Sequence, residues 1–147
     1  MAKFLTPLIN EDLCEPYERF SKIHEPFIVA DIKCLKDVNM QDTIEIPAGF
    51  CHDYESEGPF RGSCKRGGVV HDWASRIDAM VGMTKALAAK LYFEIMEASD
   101  AEKKNQSVVY RFGRWNRRWF KWGVVRIALG YWHKWYVLST CYEMAEG

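Results

Sequence analysis

Between Ala48 and Gly68 the chain carries Gly49, Gly58, Pro59, Gly62, Gly67 and Gly68. Glycine loses the most backbone freedom on ordering, and proline removes a hydrogen-bond donor, so such a run is unsuited to a helix or a central strand. The segment therefore reads as a long loop dividing two differently patterned halves. Long ordered loops in compact domains tend to carry function, so this is the first place to look for a site.

Before the loop the pattern is that of strands. Pro26-Phe-Ile-Val-Ala and Asp42-Thr-Ile-Glu-Ile are β-branched and partly alternating, which predicts two paired strands joined by a turn over Asp37 to Gln41. Residues 1–25, with Pro7 and Pro16, read as an irregular arm holding at most a short helix near Glu11 to Phe20. After the loop the period changes. Val69 to Asp78 has no breaker and predicts a helix starting just after the glycine pair. Thr84 caps a second helix in which Ala86, Leu87, Leu91, Ile95 and Ala98 recur up to Asp100, and Ala101 to Gln106 is a polar connection.

From Ser107 to Leu138, Phe112, Trp115, Trp119 and Trp122 fall on one helical face, with Arg111, Arg114, Arg118 and Lys121 on the adjacent one. Gly123 and Gly130 are expected to bend or break this helix before the aromatic run Tyr131 to Tyr136. The fold class expected is α+β: short antiparallel strands and a Gly-rich loop packed against three or so helices. All 147 residues form a single domain, with the arm at 1–25, strands and loop at 26–68 and the helical part at 69–138.

A net charge of zero hides polarity: residues 1–60 hold twelve acids and five bases, residues 107–147 seven bases and two acids. Internal pairing is the simpler account, and a footprint for an anionic partner the sharper one. The five cysteines have no CxxC spacing, and Met1 to Pro7 lacks the apolar run of a secretory signal, so reduced thiols in a cytoplasm are expected. Trp119 to Leu138 is the most apolar stretch, yet Lys121, Arg126, His133 and Lys134 exclude it as a transmembrane segment.

The strongest chemical constellation is Asp53, Ser56, His71 and Asp72, the first two on the Gly-rich loop and the others expected in the first turn of a helix. Free N–H groups at that helix start would hold Asp72 as a carboxylate, which is also how a merely structural pair would anchor a loop. As a catalytic site, His71 would act as general base toward water or Ser56, with a carboxylate fixing its tautomer. As a metal site, Asp53 and Asp72 with loop carbonyls offer oxygen ligands for a divalent cation, Ca²⁺ or Mg²⁺, although two acids are few. Cys51, His52, Cys64 and His71 are zinc-capable without a zinc-like spacing. Arg111, Arg114, Trp115, Arg118, Trp119 and Lys121 would form a binding face for an anionic membrane surface or nucleic acid, but a Trp stripe at helical spacing is read first as core.

Ile46-Pro-Ala-Gly-Phe50, then Asp53 and Ser56, then Gly68-Val-Val-His-Asp-Trp73 resembles the phage and prophage family known as domain of unknown function 1353. The likeness continues through Lys85 to Met96 and on to Val125-Arg126 and Gly130, covering residues 44–135. The chain departs from that pattern at three places: Ala89 stands at the family's second-helix Asp, the Pro after Ser56 is absent, and Ser75 replaces a Tyr. The resemblance implies a phage setting and a polar cluster, not a reaction. Secreted phospholipases offer a looser analogy, with a His-Asp pair facing an Asp on the next helix. This chain lacks that facing acid unless Asp78 or Glu94 is recruited.

The expectation is thus a phage accessory protein, in the host cytoplasm or the particle, whose cluster is structural or vestigially catalytic. Its rivals are a small hydrolase of ester or peptidoglycan-related bonds using His71, and a binding module acting on a host or phage protein, membrane or nucleic acid through the basic Trp-rich helix.

Overall fold

In a computed structural model of the chain, residues 1–12, 21–52, 65–75, 80–102 and 108–124 are described, and the structural statements below concern these. Six strands and four helices follow in the order β1 (Lys3–Phe4), β2 (Asn10–Asp12), β3 (Ser21–Ile23), β4 (Phe27–Ala30), α1 (Lys33–Lys36), β5 (Ile44–Ile46), β6 (Cys51–His52), α2 (Lys65–Ala74), α3 (Lys85–Ala101) and α4 (Val108–Val124). The class is α+β. Two small antiparallel sheets run β1-β4-β5 and β2-β3-β6.

The expected strand pair is β4 with β5, in the register Phe27 to Ile46 and Val29 to Ile44. Alternation sets the register, since these four side chains are buried while Ile28 and Glu45, opposite each other, are not. The arm is not irregular as expected: β1 pairs with the free edge of β4, and β2 pairs with β3. Pro7 lies between β1 and β2, where the chain leaves one sheet for the other and needs no ladder donor. Thr6 secures the β4 edge, its hydroxyl donating to Pro26 O (3.1 Å) and accepting from Ile28 N (2.9 Å). The short helix expected near Glu11 to Phe20 falls largely outside the described residues.

The motif Pro47-Ala-Gly-Phe50 carries the chain from the first sheet to the second. Gly49 sits at φ +91°, its N–H donates to Ile23 O (2.8 Å), and Ile23 N–H donates to Phe50 O (2.9 Å). A side chain at that φ is strained, so the turn requires glycine.

Helix α2 starts at Lys65, ahead of the glycine pair, and buries Gly67 and Gly68 together with Val69, Val70 and Ala74. Thr84 caps α3 as expected, its hydroxyl accepting from Leu87 N (3.1 Å). Ile23, Phe27, Val29 and Ile46 from the sheets and Phe50 from the turn before β6 meet Val69, Val70, Leu87, Leu91 and Ile95 in one core. Helix α4 continues through Gly123 to Val124, and Gly130 and the aromatic run 131–136 lie outside the described residues.

Candidate functional site

Of the expected cluster, His71 and Asp72 are described, whereas Asp53 and Ser56 are outside the described residues. Because α2 begins at Lys65, the pair does not lie in the first turn but in the second half of a ten-residue helix. The free N–H groups of the first turn are out of reach there, so the N-terminal argument for Asp72 does not apply. His71 is 3% and Asp72 1% exposed. Consecutive helix residues project about 100° apart, and His71 Nδ1 stands 3.9 Å from Asp72 Oδ1, beyond hydrogen-bond reach. The His71 ring packs on Tyr92 of α3 (centroids 5.3 Å), and Trp73 meets Phe50 edge-on (5.2 Å). The pair is built into the seam between α2, α3 and the sheets.

Ala89, at the position of the resembled family's Asp, is fully buried beside Tyr92 and Met96. Asp78 is outside the described residues. Glu94 is committed elsewhere: Oε1 accepts from Lys33 N (2.6 Å) and Oε2 from Cys34 N (2.9 Å), so a carboxylate of α3 caps α1. Among the described residues no three His, Cys, Asp or Glu side chains come together as metal ligands. His52 lies in β6, its Nε2 2.8 Å from Asn10 Oδ1, and burial raises the Cys51 thiol pKa above its ordinary value. Cys64 is outside the described residues.

Next to the Glu94 cap, α1, α3 and α4 enclose an open cleft of about 560 Å³ lined by Phe93, Glu97, Trp119, Trp122 and Cys34. Cys34 is no nucleophile at neutral pH: burial, with the Glu94 carboxylate beside it, pushes its thiol up to about 12.

Helix α4 reverses the expected burial. Its two faces are those read from the sequence, but the basic one turns inward. Arg114 is 9% and Lys121 3% exposed. Arg114 Nε donates to Asp100 Oδ1 (2.6 Å), Arg114 Nη2 pairs with the same oxygen, and Arg118 Nη1 donates to Asp100 Oδ2 (3.2 Å). Asp100 is buried one residue from the C-terminus of α3, where the helix dipole adds to its attraction for cations. The guanidiniums thus have a buried counter-charge to reach, and the rings on the adjacent face are left toward solvent: Phe112 is 63%, Trp115 47%, Trp119 46% and Phe120 55% exposed. Phe112 stacks on Trp115 (6.1 Å), and Trp115, Trp119 and Trp122 follow edge to face, with Trp119 also against Phe93 (4.8 Å). Four half-exposed rings present roughly 400 Å² of apolar surface, within the range of patches that mark interaction sites. Of the expected binding face, Trp115, Trp119 and Arg111 are outward, while Arg114, Arg118 and Lys121 are withdrawn. The missed residue is Asp100, whose sequence signal was that it ends the α3 periodicity one helix before a basic stripe.

Among the described residues no helix is long and apolar enough to cross a membrane. Compared with protein-family models, curated proteins and solved structures, the chain finds no match.

Proposed function

We propose that the chain is a non-catalytic accessory protein that works by binding, through the outer aromatic face of α4, with His71 and Asp72 serving the fold. The observation that carries this reading is the inversion of α4: Arg114 and Arg118 turn inward onto Asp100 while Phe112, Trp115 and Trp119 face solvent. Among the described residues Phe112 and Trp115 belong to neither apolar cluster and stack on each other and on Trp119, so their use lies in what they meet. The burial of His71 and its 3.9 Å separation from Asp72 support the structural role over a hydrolase built on that base. The phage setting, in host cytoplasm or particle, is what the resemblance to domain of unknown function 1353 adds.

The test is the stability of Phe112→Ser/Trp115→Ser. A surface held for a partner leaves stability within about 1 kcal/mol of wild type in urea unfolding, whereas core aromatic rings cost about 3–5 kcal/mol each on truncation. A loss of the second size would place these rings in the fold's own core and overturn the reading.

A further inference from the structure

We infer that the partner of the α4 face is an anionic lipid surface, on which α4 lies in the plane of the interface; this rests on the reading of α4 as a binding face. Charge is the first argument. Helix α4 contains five bases and no acid, and no Asp or Glu occurs between Lys103 and Tyr142. At 100° per residue, Arg111 and Arg117 fall on the two borders of the arc occupied by Phe112, Trp115 and Phe120. Arg111 is exposed and Arg117 half-buried. An apolar arc edged on both sides by cations is the arrangement that inserts rings among lipid headgroups while guanidiniums meet the phosphates.

The same arrangement argues against two other occupants. A second copy would bring Arg111 and Arg117 against their own kind with no acid on the helix to answer them. Nucleic acid needs outward cations, and Arg114, Arg118 and Lys121 are turned inward, with the first two on Asp100. What remains outward is a set of aromatic rings, with Asn116 among them and a cationic edge on either side. Trp is the residue enriched at bilayer interfaces, and the 17 residues of α4 span about 25 Å along such a surface.

The experiment is co-sedimentation of the full chain with phosphatidylcholine vesicles and with phosphatidylcholine/phosphatidylserine vesicles, with tryptophan emission read in parallel. Binding to the phosphatidylserine vesicles with blue-shifted emission is expected, falling toward the phosphatidylcholine level as salt is raised. Arg111→Glu/Arg117→Glu should weaken it at least about tenfold, and Phe112→Ser/Trp115→Ser should abolish it. Equal binding to both vesicles, or to neither, overturns the lipid assignment. So does capture of single-stranded RNA that the Arg double variant loses and the Ser double variant keeps. If wild type ignores vesicles while the Ser variant stays folded, the lipid assignment alone fails. If the Ser variant unfolds, the binding face fails with it.

Discussion

Replacing Asp100 by Asn removes one negative charge from a site where it answers two guanidiniums. Asp100 is 6% exposed, and the side chains of Arg114 and Arg118 are 10% and 15% exposed, so water contributes little compensation. Arg118 Nε is already buried with no acceptor among the described residues. Removing one partner of a buried ion pair leaves an uncompensated charge and costs about 3–5 kcal/mol. Asn keeps the shape and one acceptor, which places the expectation near the lower end, about 3 kcal/mol. For a chain of this size that is roughly 6–12 °C in melting temperature, read by far-ultraviolet circular dichroism or from the urea midpoint. A companion variant sharpens the test. Asp100→Leu/Arg114→Met/Arg118→Met removes the whole ionic group and should recover most of the loss, because an apolar seat of similar volume often matches a buried salt bridge. If Asp100→Asn costs less than about 1 kcal/mol, the reasoning that α4 is seated by buried charge is refuted.

Other substitutions probe single links. Glu94→Ala deletes both acceptors of the α1 cap and is expected to cost about 1–3 kcal/mol in urea unfolding, with Glu94→Gln recovering part; no change would mean the cap is idle. Gly49→Ala forces a Cβ into the left-handed region at φ +91° and should cost about 1–2 kcal/mol by the same measurement. Cys34, its thiol held near 12, should resist iodoacetamide at pH 8 relative to the urea-unfolded chain, followed by mass spectrometry of its peptide. The sign for stability follows: above about pH 8.5 the unfolded thiol releases a proton that the folded one keeps, so this contribution is lost as pH rises toward 12. Fast native labelling would contradict the burial of that thiol.

Much of the fold was legible in local pattern. The β4–β5 pair followed from alternation, and α3 from Thr84 and an apolar stripe. The N-terminal strands were not, because Lys3–Phe4 and Asn10–Asp12 are too short to show a period and owe their form to partners far along the chain. The start of α2 was misplaced because glycine propensity is a local signal, whereas Gly67 and Gly68 are buried within the helix, where tertiary packing overrides it. At the candidate site, periodicity sorted α4 into the right two faces but not into inside and outside. The spacing of residues along one helix carries no information about a carboxylate on another, and Asp100 holds two cations of the face that turned inward.

The seat of α4 also has a bearing on how the molecule breathes. Ala89, Tyr92 and Met96, with Phe93 and Trp122, form an apolar cluster separate from the core that joins the sheets to α2 and α3. Cooperative opening follows such divisions, so the described residues should open as two foldons rather than one. In native-state hydrogen exchange the amides of α4 would trade with solvent at a lower opening free energy than those of α3. Its departure would strip the small cluster and the Asp100 pairs while leaving the larger core closed. The helix proposed to bind would then be the one the fold can release without unfolding.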